Sequence, residues 1–164
     1  IAERAGVSLP TVYSHFPGQD DLLAACTGHV AGQAPALPVA EILAAGGLPA
    51  AIDQLVAAHE KQHLYFEPWL AKREDGVIPF LAALSASARE ERAALVAAVL
   101  DRHLGAGDHR ETIAAWETLL SFDTWHRMVR GHRLPRAAVR RLLAQCLLNL
   151  ARPAAPVHPT RKRK

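Results

Sequence analysis

Cysteine, methionine and aromatic residues are scarce in this chain: two Cys, one Met, and Phe, Tyr and Trp together at 5%. Cys26 and Cys146 stand far apart in no metal or redox spacing, which excludes a disulfide framework and a cysteine-built metal centre. Each is expected to serve as a small hydrophobe in a reducing compartment. Valine and isoleucine seldom alternate with polar residues, so the period-two signal of half-buried strands is missing. No apolar run approaches the roughly 18 residues of a membrane-crossing helix, and no signal peptide is visible. A glycine-rich phosphate loop and a G-x-S-x-G elbow are also lacking. Asp20-Asp21 and Glu90-Glu91 are adjacent pairs that splay apart on a helix, so neither is a general acid–base dyad. An excess of one charge is missing too. The net charge is +3, and Arg161-Lys162-Arg163-Lys164 supplies +4, which leaves the remainder at −1. Bulk charge therefore argues for no nucleic-acid partner; a local motif has to.

What is present is apolar helix-forming sequence. Half of the 164 residues are hydrophobic, with alanine and leucine abundant. That suits one domain, or one plus a small head, of the all-α class. Gln19 to about Gln33 reads as a helix with Leu22, Leu23, Cys26 and Val30 on one side, broken by Pro35 and Pro38. A short helix covers Val39 to Ala45. A long one runs from about Pro49 to Arg73, with Ile52, Leu55, Val56, His59, His63, Phe66 and Leu70 at the spacing of a buried face and Pro68 as a kink. Gly76 and Pro79 mark a loop. Ser87-Ala88-Arg89-Glu90 has capping-box spacing and predicts a helix start before Leu95, Val96, Val99 and Leu100. Asp108-His109-Arg110-Glu111 predicts another, running to about Val129 with Ile113, Trp116, Leu119, Leu120, Phe122, Trp125 and Met128 on more than one face. After Gly131, Pro135 opens a last helix with Val139, Leu142, Leu143, Cys146, Leu147 and Leu150 on a wide stripe. Residues 153–164, proline-bearing and basic, read as a disordered tail whose charges can add nonspecific phosphate attraction.

The most informative stretch is Ile1-Ala2-Glu3-Arg4-Ala5-Gly6-Val7-Ser8-Leu9-Pro10-Thr11-Val12-Tyr13-Ser14-His15-Phe16-Pro17. It reads as the end of one helix, a glycine turn and a short second helix, the layout of a helix-turn-helix. Gly6 accepts the positive φ of a reversal. Ser8 can cap the second helix, and proline is tolerated in its first turn. Val7, Val12 and Phe16 are expected to pack beneath the turn. Thr11, Tyr13, Ser14 and His15 then point outward with hydroxyl and imidazole groups suited to phosphates and base edges.

The run Ile-Ala-x-x-Ala-Gly-Val-Ser-x-x-Thr-Val-Tyr-x-His-Phe-Pro resembles the DNA-binding segment of the tetracycline-repressor (TetR-like) family of bacterial transcription regulators, over roughly the first 30 residues. The resemblance implies that Leu9 to Phe16 reads an operator in double-stranded DNA. Ser8 caps that helix; Leu9, Pro10, Thr11 and Ser14 lie toward base edges or nearby phosphates, and Tyr13 and His15 hold the backbone. Gln19 stands where the family often carries a lysine, followed by Asp20 and Asp21, which suit a helix N-terminus but repel phosphate. The sequence begins inside the motif, so the head is expected to be incomplete at its front edge and to hold DNA weakly until preceding residues are restored. The resemblance further implies a small-molecule effector held between the helices of the C-terminal part. His59, His63, Phe66 and Trp69 lie along the long helix, and Trp116, Leu120 and Phe122 can face them: apolar walls with a few polar groups, as in ligand sites. It also implies a homodimer through the last two helices, about 110–130 and 135–150, each of which shows more apolar surface than one neighbour can cover.

One tempting constellation competes. His59-Glu60-Lys61-Gln62-His63 has the letters of the zinc-hydrolase motif H-E-x-x-H, which sets two imidazoles on one helix face with Glu60 as base. Lys61 and Gln62 replace its apolar residues, and neither Glu67 nor Glu74 sits at a familiar third-ligand spacing. The reading is therefore a cytoplasmic, all-α, non-enzymatic regulator without cofactor or metal. It comprises a partial helix-turn-helix head and connecting helix (1–32), a helical ligand-binding and dimerisation domain (33–152) and the tail. A ligand-binding module without DNA binding, and a zinc-dependent hydrolase using His59, Glu60 and His63, are the alternatives.

Overall fold

The computed structural model describes residues 1–70 and 79–151, and all regular structure among them is helical. The elements are α1 (Ala2–Ala5), α2 (Leu9–His15), α3 (Gln19–Gly32), α4 (Val39–Leu43), α5 (Leu48–Leu70), α6 (Pro79–Leu104), α7 (Arg110–Leu119), α8 (Phe122–His126), a π-helical turn (Arg127–Gly131) and α9 (Arg136–Leu150). The expected end of the long helix at Arg73, the loop at Gly76 and the basic tail 153–164 lie outside the described residues. No helix among the described residues is long and apolar enough to cross a membrane.

α5 is the axis of the fold. Ala51, Ile52, Leu55, Val56, Ala58, His59 and His63 recur at three- and four-residue spacing and are all buried, so one face meets protein on every turn. Leu95, Val96, Val99 and Leu100 of α6, Trp116 and Leu120 at α7, Trp125 of α8 and Val139, Leu143 and Leu147 of α9 complete the core around it. Polar ties fix how the layers lie. Trp116 Nε1 donates to the Leu147 carbonyl at 3.1 Å, fastening α7 to α9. Arg130 grips the Glu67 carboxylate with both arms of its guanidinium, Nη2 lying 2.8 Å from Oε2, and Arg140 sits 3.3 Å from Glu60. Gln62 and Tyr65 reach the other way, to the carbonyls of Pro35 at 3.0 Å and Val30 at 2.8 Å, and so seat the C-terminal end of α3 on α5. Pro68 falls in the last turn of α5, which continues past it to Leu70.

Three expectations from the sequence are corrected. Ser87 starts no helix: it lies inside the continuous α6, its hydroxyl 3.5 Å from Glu91. The spacing of a capping box is also that of two residues on neighbouring turns, and the surrounding alanines and leucines favour uninterrupted helix. The single helix expected over 108–129 is instead α7, α8 and the π turn. Ser121 adopts an extended conformation and its Oγ accepts the Thr124 N–H at 3.2 Å, an N-cap that outcompetes helix continuation. This break explains why apolar residues wrap more than one face: Trp116 and Trp125 point inward from two different segments. Cys26 and Cys146 are both exposed rather than packed as core hydrophobes: α3 buries no residue fully, and α9 turns Val139, Leu143 and Leu147 inward instead.

Since the Ser121 hydroxyl caps α8 and holds the break open, Ser121→Ala should cost about 1 kcal/mol. A urea titration followed by tryptophan fluorescence measures it.

Candidate DNA interface and the buried histidine pair

The first seventeen residues form the expected turn. α1 ends at Gly6 in the left-handed conformation, φ 67°, with Gly6 N–H donating to Glu3 O at 3.2 Å and Val7 N–H to Ala2 O at 3.1 Å. That closure needs a residue without a Cβ penalty at Gly6. Ser8 then caps α2: its Oγ accepts the Thr11 N–H at 3.3 Å and lies 2.7 Å from the Thr11 hydroxyl. Pro10 stands in the first turn, where no N–H is needed. Val12 and Phe16, one turn apart, are half-buried. Val7 is exposed and does not join them, because the chain leaves the α1 cap before it reaches that side.

Ser8, Leu9, Pro10, Tyr13, Ser14 and His15 are all exposed. Tyr13 keeps 62% of its surface open and Leu9 59%, far more than a core requires. Thr11 is half-buried, and Ser14 Oγ donates back to the Thr11 carbonyl at 2.8 Å, leaving its lone pairs available. A short rod with phenol, imidazole and hydroxyl groups projecting from it can supply hydrogen bonds to phosphates and base edges. Asp21, read from sequence as a charge that suits a helix N-terminus but repels phosphate, has a structural task. Its Oδ2 accepts the Gly18 N–H at 3.0 Å and ties down the start of α3.

Residues 1–26 match the family model of bacterial regulatory proteins of the tetR family. The match supports a DNA-binding transcription regulator of that family. No curated protein and no solved structure gives a significant match.

In the C-terminal part, the seven residues expected to surround an effector divide into groups. His59 and His63 lie one turn apart with ring centroids 6.2 Å from each other, and His63 faces Phe122 at 5.8 Å. Trp125, not anticipated, completes this cluster 5.5 Å from His63; its inward position follows from the Ser121 break, which the sequence reading passed over. Leu120 joins through its backbone. Because Ser121 Oγ takes the Thr124 N–H, the Leu120 carbonyl lacks its usual helical donor and accepts His63 Nε2–H at 3.0 Å. Phe66 and Trp69 gather instead around Tyr65, with centroids 5.0 and 5.5 Å away, and Trp69 is exposed. Trp116 is fully buried against α9, apart from both groups.

Both imidazoles are neutral at pH 7. Burial lowers His59 to about 4, against its hydrogen bond to the Leu55 carbonyl at 2.9 Å. Burial, together with the neighbouring His59, lowers His63 to about 3. Arg92 pushes both in the same direction. Glu60, the base of the hydrolase alternative, turns toward Arg140 on α9, away from any water the two histidines would activate. Among the described residues no three His, Cys, Asp or Glu side chains converge on a metal position. Trp125 Nε1 and Arg92 Nε are buried donors with no partner among the described residues.

A histidine that stays neutral when folded but protonates when unfolded makes stability fall with pH. The unfolded chain takes up protons below about 6.5, and the folded pair resists until about 3 to 4. Across that window each should cost roughly 1.4 kcal/mol per pH unit. Urea midpoints at pH 7 and pH 5 measure the slope. His63→Phe should flatten it, even though the variant is less stable at pH 7 through the unpaired Leu120 carbonyl.

Proposed function

We propose that the chain is a repressor that α2 holds on an operator and that a small-molecule effector releases. The exposure of Tyr13 and His15 on a capped helix, within residues that match the tetR family model, carries this reading. Tyr13 and His15 grip the DNA backbone, while Ser8, Leu9, Pro10, Thr11 and Ser14 lie toward the bases. The effector sits in the C-terminal part. His59, His63 and Phe122, with Trp125, form the group best suited to it, and the unpartnered donors of Trp125 and Arg92 favour an effector with an acceptor oxygen. Leu120 borders that group through its carbonyl, whereas Phe66 and Trp69 gather around Tyr65 and Trp116 packs against α9. Switching is a population shift: the effector favours one helix arrangement, and a coupling of about 1–3 kcal/mol changes operator affinity roughly 5- to 150-fold.

A helix-turn-helix usually reads two half-sites through a two-fold dimer. Leu142, Cys146 and Leu150 stand one turn apart along α9, with Leu142 44% and Leu150 45% exposed. We place this stripe, with the neighbouring surface of residues 110–130, at a homodimer interface. Such a protein works in the cytoplasm.

Two measurements test the reading on the complete gene product. Duplexes selected from a random pool should share a sequence with two half-sites. Tyr13→Ala with His15→Ala should weaken their binding by at least about tenfold without altering thermal stability. Failure to enrich any duplex would leave a ligand-binding module without DNA binding. Leu142→Glu with Leu150→Glu should convert a dimeric mass to a monomeric one by light scattering at micromolar concentration; a monomer before substitution contradicts the interface.

A further inference from the structure

A cavity lies apart from the histidine cluster. Between α5, the π turn and the start of α9 is a cavity of about 570 Å³, within the size range of small-molecule sites. Leu64, Val129 and Leu134 form apolar walls, and Arg130, Arg133 and Arg136 bring three guanidinium groups to its rim. Arg130 is committed to Glu67, whose carboxyl it holds below the usual carboxylate range. Arg133 and Arg136 form no ion pair among the described residues. Arg133 also holds φ 55°, a left-handed backbone that is uncommon for a residue other than glycine or asparagine. Strained backbone of this kind tends to collect at functional positions. The start of α9 behind it has Pro135 as its N-cap and no side-chain cap, so the positive end of a fifteen-residue helix adds to the arginines.

Apolar walls under two uncommitted guanidinium groups select an anion with a hydrophobic body. The planar fork of arginine matches a carboxylate, and Arg130 with Glu67 already shows that pairing at this rim. The same stretch of α5 also holds the connecting helix. Leu64 lines the cavity, its neighbour Tyr65 donates to Val30 of α3, and Gln62 donates to Pro35 just beyond. A ligand pressing on Leu64 or drawing Arg130 from Glu67 acts on the segment that seats α3, which starts three residues beyond the C-cap of α2.

We propose that this corner binds an organic carboxylate with an apolar body, and that its occupancy reaches the reading head through Gln62 and Tyr65. The second half rests on the regulator reading; the first does not. The test uses octanoate as probe, with 1-octanol and acetate as controls, by titration calorimetry on the complete gene product. Octanoate should bind saturably, and at least about tenfold more tightly than 1-octanol or acetate. Arg133→Asn with Arg136→Gln should weaken octanoate by at least about tenfold, while thermal stability and the dimeric mass stay as they were; asparagine tolerates the left-handed backbone. No saturable octanoate binding, equal binding of 1-octanol, or full affinity in the double variant overturns the site. Saturating octanoate should change the affinity for a selected duplex by about fivefold or more. Tyr65→Phe, which lacks the hydroxyl that meets Val30, should lose much of that change while keeping octanoate binding. Octanoate binding with unchanged duplex affinity overturns the relay alone. Octanoate binding in a protein that selects no duplex overturns the regulator reading and sustains the site.

Discussion

One dry face of α5 organises this protein. From Ala51 to His63 it is buried on every turn, so α4, α6, α8 and α9 are placed by what they lay against that face. α9 covers it with Val139, Leu143 and Leu147, α6 with Leu95 to Leu100, and the α7–α8 break with Leu120 and Trp125. Burial of a dozen or more large apolar side chains supplies the driving force. The two histidines on that face raise the stakes. Each must remain neutral and each must spend an N–H on a carbonyl, which it does at Leu55 and Leu120. The second of those bonds exists only because Ser121 interrupts the helix and frees the Leu120 carbonyl. A hydroxyl in α8 and an imidazole in α5 thus specify the same joint.

The solvent side of the same helix does different work. Gln62 and Tyr65 hold the end of α3, and Glu67 holds Arg130 of the π turn. The inner stripe gives stability, while the outer groups tie the end of α3 and the π turn to α5. These ties are few and partly exposed, so they can be remade at modest cost, whereas the buried stripe cannot.

Much of this was legible in the sequence because it rests on local chemistry. Gly6, Ser8 and Pro10 each have a backbone task that their residue types announce, and the turn formed as expected. The stripe of α5 was readable because 3.6-residue periodicity follows directly from burial of one face. What escaped was competition between equivalent local signals. Ser87 and Ser121 both offer a hydroxyl to the backbone; only Ser121 stands where tertiary packing rewards a break, with Trp116 and Trp125 each needing to face inward. Asp21 was readable as a charge suited to a helix N-terminus, and its bond to Gly18 gives that role its partner. The effector set was drawn from the inner side of α5 and from the Trp116–Phe122 stretch expected to face it. It could not foresee that Trp116 would bond to Leu147 of α9 or that Trp69 would lean outward on Tyr65, since both depend on helices distant in sequence.

The account stands or falls on α2 being the surface that meets DNA while the α5 frame carries it. Amide hydrogen exchange on the complete gene product, with and without a selected duplex, tests this directly. Slowed exchange concentrated in residues 8–16, with the amides of α5 between Ala51 and His63 unchanged, is the predicted result. Exchange in residues 8–16 that stays the same on adding DNA, or protection that appears only on α9, would contradict it.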